Sequence, residues 1–263
     1  MEHNQGCQRR MRNILLSNDD GISSRGLWAL REYLEQRYRV FVVAPDRERS
    51  ATGHSISLHN PIRLKELEKG RVYAVDGTPV DAVHIAILGV VQQPIDLVVT
   101  GINNGLNLGN DVFYSGTVSA ALHAVSQGIP AIAVSIDNNG ERIHYETAAC
   151  YAEKIVEKLE TEEFYEWTIL NINVPNIPAK EVCGVEITRL GRRQYVDSII
   201  EREDPKKNKY YRIEGELKSS VPDDGTDVKA IHDHKVSITP LHWDITAHST
   251  ITELRRRGFH KLM

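Results

Sequence analysis

An α/β fold with a doubly wound, mainly parallel sheet is predicted by three features of the chain. Short apolar runs show no polar face, helical patterns separate them, and polar, glycine-rich stretches follow their carboxyl ends. Strands that are apolar on both sides need helices above and below, and right-handed crossovers then produce the double winding. In such sheets ligands gather beyond the carboxyl ends of the strands, so chemistry is sought there.

The elements follow in order. "NILLS" (13–17) is a buried strand, and "GLWALREYLEQR" (26–37) sets Leu27, Leu30 and Leu34 on one helical face. "RVFVVAP" (39–45) is β-branched and aromatic and ends at proline. Thr78-Pro79 starts the helix "VDAVHIAILGVV" in the favoured N-cap and N1 order. "PIDLVVTG" (94–101) and "IPAIAVSID" (129–137) are apolar strands, with the helix "TVSAALHAVSQG" (117–128) between them. The amphipathic helix "YETAACYAEKIVEKLE" (145–160) precedes the strand "WTILNINVP" (167–175).

After about residue 178 the texture changes. Residues 189–212 hold eight Lys or Arg against four Asp or Glu, so this stretch reads as charged surface and short strands rather than core. "HKVSITPL" (234–241) reads as a returning strand and "ITELRRRGF" as a final helix. The division expected is a core at 12–178 and an appendage at 179–263.

Composition bounds the function. With 263 residues, 41% of them hydrophobic, the chain can bury a large core. A formal charge of -4 provides no field for nucleic acid or an anionic membrane, and neither is expected as a partner. Cys7, Cys150 and Cys183 make neither a CxxC pair nor an even disulfide framework, which fits a reducing cytoplasm. The leader 1–11 lacks the apolar centre of a signal peptide.

Four loops follow the apolar strands. In "SNDDG" (17–21), one aspartate at a strand end is plausibly a helix cap, but two in a row are hard to use that way. Adjacent carboxylates can instead share a hard divalent cation, which cancels their repulsion. "TGINNGLNLGNDVFYSGT" (100–117) matches neither GxGxxG nor GxxxxGK, so neither dinucleotide nor P-loop binding follows. Its glycines admit close backbone approach, and "YSGT" places hydroxyls and N–H groups at a helix start, suited to phosphate. A hydrogen-bonded Ω-type loop is the plain alternative. In "APDRERSATGHSIS" (44–57), Ser50, Gly53 and His54 are candidate substrate contacts, His54 as phosphate donor or leaving-group acid. "SIDNNGER" (135–142) reads as an Asx-type turn. The economical reading is a pocket for a metal ion and a phosphate.

Read together, "LLSNDDGISSRGL", "VVAPDRERSATGHSIS", "VDGTPVDAVHIA", "DLVVTGINNGLNLGNDVFYSGTVSAALHA" and "GTDVKAIHDHKVSITPL" resemble the SurE (survival protein E) family in order and in length. The resemblance implies a metal-dependent phosphomonoesterase that converts nucleoside monophosphates, 5′- and also 3′-, to nucleoside and inorganic phosphate. It implies one divalent cation per subunit, Mg2+ or Mn2+ with Ca2+ as a stand-in in crystals, on Asp19, Asp20, Ser50 and Asn103. By the same resemblance Asn18, Asn107, Ser115, Gly116 and Thr117 contact phosphate, and Asp19, Asp20 and Asn107 are catalytic. The family fold is Rossmann-like with a β-rich C-terminal arm exchanged between subunits, giving dimers or tetramers. The chain departs at "TGIN" for "SGIN", outside the ligand, and at "YYRIEGE", where relatives carry a tryptophan and paired glycines. From a different class, the rival reading is a nucleotide-binding regulatory module without turnover. An aspartyl-phosphate mechanism fits less well, because its usual context is DxD.

Overall fold

β1 (Asn13–Ser17) lies in the middle of the sheet, between β2 (Arg39–Pro45) and β5 (Leu97–Asn104), and is parallel to both. The computed structural model describes residues 11–161, 167–204 and 206–262. The expected leader therefore lies, apart from Met11, outside the described residues, as does Cys7.

Successive side chains of β1 explain the double winding. Ile14 and Leu16 face α1 (Arg25–Leu34) and α4 (Tyr145–Leu159), packing with Leu27, Leu30 and Ala152. Leu15 faces α2 (Pro79–Ile85) and α3 (Gly116–Ser126), packing with Val83 and Ala120. All three β1 side chains are fully buried, which is why the run lacks a polar face. Thr78 caps α2 as expected, in a reciprocal box with Asp81.

Among the described residues the sheet has nine strands. They include β3 (Leu64–Glu68), β4 (Val72–Val75), β6 (Ala131–Ile136), β7 (Thr168–Val174), β8 (Val185–Ile187) and β11 (Val236–His242), in the order β3-β4-β2-β1-β5-β6-β7-β11-β8. β3 is antiparallel to β4 and β11 to β7; the other neighbours are parallel. The chain winds outward from β1 to β2 and β4, then returns to β1's other side at β5. The crevice between the β1 and β5 ends is thus a topological switch point.

The β3–β4 hairpin has no counterpart in the sequence reading, because all five β3 residues are exposed and carry no apolar alternation. The chain beyond 178 also contributes to the main sheet, through β8 and β11. The pair that stands outside it is a ribbon of β9 (Arg192–Glu203) and β10 (Lys209–Val221), longer than the short strands expected. Among the described residues these two strands pair only with each other. α5 (Asp227–His232) follows the ribbon, and α6 (His248–Arg256), the expected final helix, buries none of its residues.

Candidate active site

The first loop is shaped by its own side chains. Buried Asn18 donates from Nδ2 to the Gly21 carbonyl at 3.1 Å, closing the turn that carries the two aspartates. The Arg49 N–H donates to the Asp19 carbonyl at 2.7 Å, bringing the loop after β2 alongside.

Asp19 is buried against the start of α3. Its Oδ2 accepts the Thr117 N–H at 3.2 Å, and its Oδ1 accepts the Thr117 hydroxyl. Gly116 permits that approach, since a Cβ there would stand 2.9 Å from the Asp19 Cβ. Ser115 caps the helix by accepting the Val118 N–H at 3.1 Å. Burial pushes the Asp19 carboxyl above its ordinary range, although the Thr117 bonds oppose the shift.

Asp20 is less enclosed and accepts the Asn104 N–H on Oδ2 at 3.0 Å. Burial, then the Asp19 charge, with a smaller push from Glu48, raise its pKa to about 6. The Asn103 amide donates from Nδ2 to the Gly105 carbonyl at 2.7 Å, so its Oδ1 is the end suited to a cation. Ser50 donates its hydroxyl to Glu48 Oε1 at 3.0 Å. Asp19, Asp20, Ser50, Asn103, Asn107 and Ser115 all line one cleft of about 380 Å³, together with Glu48, Asn104, Asp111 and Tyr114.

These residues fit a divalent cation. Two adjacent carboxylates are both held above their ordinary range, Asp20 in part by the charge of Asp19. A cation relieves that repulsion, and the donors are all oxygen, as a hard ion requires. Among the described residues no three His, Cys, Asp or Glu side chains make a metal cluster, so the set depends on the Ser50 hydroxyl and the Asn103 amide.

A sequence model of the family described as survival protein SurE matches residues 14–197. The chain belongs to the SurE family. Among its relatives, the 5′-nucleotidase SurE of Geobacter sulfurreducens is 44% identical over 243 residues, 92% of each chain. That of Carboxydothermus hydrogenoformans is 45% identical over 249 residues, covering 92% of this chain and 94% of its own. Among solved structures, the crystal structure of the SurE protein from Aquifex aeolicus aligns with a TM-score of 0.81 and 39% identity, over 93% of this chain and 98% of that one.

Within this SurE fold, not every residue singled out in the sequence reaches the cleft. Thr117 spends both its N–H and its hydroxyl on Asp19. Gly53 donates its N–H to the Tyr114 carbonyl at 3.2 Å, joining the loops after β2 and β5. His54 turns to a neighbouring apolar pocket of about 860 Å³, packing edge-on to Trp243 with ring centroids 5.1 Å apart. Burial lowers the His54 pKa, as it does for His123 beside it. The fourth loop is the Asx-type turn expected, with Asp137 Oδ1 accepting the Asn139 N–H at 3.2 Å. Glu48 and Asp111 also line the cleft, and no local pattern in the quoted loops marks either of them.

Proposed function

We propose that this chain is a divalent-metal-dependent phosphomonoesterase that hydrolyses nucleoside 5′-monophosphates to nucleoside and inorganic phosphate. The observation that carries the reading is the pair Asp19 and Asp20 at the switch point, one carboxylate buried and the other half-buried, in a cleft that also holds the Ser50 hydroxyl and the Asn103 amide. Carboxylates facing a phosphate dianion are untenable without a cation, and the relatives bearing the name 5′-nucleotidase supply the reaction class.

In this reading Asp19, Asp20, Ser50 and Asn103 hold the ion, Mg2+ or Mn2+. When bound, it supplies Lewis-acid polarisation of the phosphoryl group. Asn107 and Ser115 serve the phosphate from the cleft wall, their amide and hydroxyl donors stabilising its equatorial oxygens. Asn18 and Gly116, which do not line the cleft, act by shaping the aspartate loop and admitting Asp19 to α3. Thr117 acts by orienting Asp19. Asp20 commits Oδ2 to the Asn104 backbone, and its Oδ1 takes the proton from the attacking water.

Residues 12–178 carry the chemistry and the β9–β10 ribbon of the appendage 179–263 the assembly, as a homodimer or a dimer of dimers working in the cytoplasm. The β9–β10 ribbon supports this, for it leaves Ile199, Tyr210 and Tyr211 exposed on a two-stranded sheet that needs a partner. Phosphate release from AMP, measured with Mg2+, with Mn2+ and with EDTA, tests the function. No release with either metal would leave a nucleotide-binding module in its place.

A further inference from the structure

β7 runs Thr-Ile-Leu-Asn-Ile-Asn-Val, and both asparagines are fully buried in the same strand as Ile169, Ile172 and Val174. Amides in such a place destabilise the fold unless their hydrogen bonds are met. The bonds they make converge on a single residue. Asn173 Oδ1 accepts the Asn107 N–H at 2.8 Å, and its Nδ2 donates to the Asn107 carbonyl at 3.1 Å. Asn171 Nδ2 donates to the same carbonyl at 2.9 Å. From the adjacent strand, the Ser135 hydroxyl oxygen accepts the Asn107 side-chain Nδ2–H at 2.9 Å.

The arrangement belongs to a polar row in the sheet. Ser135, Asn173 and Ser237 are register partners across β6, β7 and β11, and Asn171 is the partner of Thr239. The Thr188 hydroxyl bonds to both Ser237 and Thr239 at 2.7 Å. Among the described residues Asn171 Oδ1 finds no partner, so the Asn107 carbonyl is the contact that its side chain makes. Asn107 sits between Gly105 and Gly109, both at positive φ. Their N–H groups donate to the Ile136 carbonyl at 2.9 Å and to Asp227 Oδ2 at 2.8 Å, so the β7 amides fix the part of the loop between these two anchors.

We propose that Asn171, Asn173 and Ser135 are positioning residues that present Asn107 to the substrate phosphate. The inference rests on the reading above, in which Asn107 serves the phosphate. The two β7 amides hold the Asn107 backbone from one face of the sheet, Asn173 at its N–H and carbonyl and Asn171 at the same carbonyl. Ser135 takes one hydrogen of its Nδ2 and sets the amide plane, leaving the second for a phosphate oxygen. Donors fixed before substrate arrives do not have to reorganise as charge develops, which lowers the barrier rather than merely tightening binding.

The test is a double-mutant cycle in the full-length, Mg2+-loaded enzyme with AMP, using Ser135→Ala, Asn173→Ala and Asn107→Ala alone and in pairs. Inhibition by inorganic phosphate and thermal unfolding are read alongside. Ser135→Ala should lower kcat and kcat/KM by about tenfold, the worth of one well-placed hydrogen bond, with a smaller weakening of inhibition by inorganic phosphate. In the Asn107→Ala background the same change should cost under about twofold, because the two residues act as one unit. Ser135→Thr, which restores the hydroxyl, should recover most of the loss. Asn173→Ala should behave likewise in kcat/KM with a larger drop in Tm, and Ser135→Ala decides the matter if it fails to fold. A loss of the same size in both backgrounds would overturn the inference. A disabled Asn107→Ala beside unaffected Ser135→Ala and Asn173→Ala would overturn it alone. Full activity of Asn107→Ala would remove the phosphate role of Asn107 and the inference with it.

Discussion

The Asn104 N–H donates to Asp20 Oδ2 at 3.0 Å, joining the end of β5 to the end of β1 across the switch point. Residues 84 positions apart in sequence thereby set the distance between the first loop and Asn103, the neighbour of Asn104. The cleft is an outcome of strand order, and the predictions below probe what stands in it.

Metal dependence comes first. Phosphate release should vanish in EDTA and return with Mg2+ or Mn2+. Asp19→Asn should lower kcat/KM by about a hundredfold or more, as expected when a group holding an essential cation loses its charge. Its circular dichroism spectrum should stay native. Undiminished turnover in excess chelator would remove the cation from the account.

Asp20 makes a stability prediction for the metal-free protein. Its pKa is raised to about 6 from 3.8, so between those values the folded chain binds more protons than the unfolded one. The contribution to stability is therefore present at low pH and lost as pH rises through about 6. At neutral pH Asp20→Asn should raise the metal-free Tm by about 2–4 °C, the shift expected for roughly 1 kcal/mol after solvent screening. It should also shrink the further rise produced by Mg2+. Calorimetry with and without Mg2+ measures both, and a lowered metal-free Tm would contradict the repulsion.

His123 supplies the opposite sign. Burial, then the neighbouring His84 and His54, lower its pKa from 6.5 to about 4, while Asp81 opposes the shift. Its Nε2 lies 2.9 Å from His84 Nδ1, a pairing that needs one ring to accept. Between pH 4 and 6.5 the unfolded chain binds the extra proton, so stability from this group falls as pH drops through that window. His123→Gln should flatten the acid side of a Tm-against-pH curve. An acid limb as steep as that of the unmodified protein would place the titration elsewhere.

Chain length of the phosphate gives a substrate prediction. AMP should be cleaved with a kcat/KM on the order of tenfold or more above that for ATP. The cleft offers donors for one phosphate among Asp20, Glu48 and Asp111, and an uncompensated charge there costs about 1–4 kcal/mol. Equal rates for both nucleotides would refute the single-phosphate site.

The ribbon predicts assembly. Gln194 faces Ser219 and Arg193 faces Ser220 across the pair, so replacing 194–219 with Asn-Gly closes the hairpin near its root. The Arg193–Asp111 ion pair beside the cleft is left intact. Sedimentation should shift the shortened chain to monomer while Mg2+ still raises its Tm. An unmodified protein that sediments as a monomer at micromolar concentration would end the exchanged-arm reading.

What the sequence by itself determined was the layered sheet and the contents of its loops. β1 and β2 are legible because a strand covered on both faces is apolar on both, and β6 and β7 are legible from their remaining apolar residues, a constraint that is local. Asp19 and Asp20 stand out for the complementary reason, being adjacent carboxylates at a strand end that a core cannot use, whereas Ser50 and Asn103 are marked as ligands only by the family resemblance. Tertiary structure alone decided which loops meet. His54 sits in the same loop as Ser50 yet turns to Trp243, because the Gly53 N–H bond to Tyr114 lies between them. β3 carries no periodic signal, since an exposed edge strand is held by its backbone pairing with β4. Asn171 and Asn173 are two polar letters in an apolar run until the sheet brings Asn107 over them. A hydrogen bond between residues more than sixty positions apart leaves no local pattern, and bonds of that kind aim the side chains of this cleft.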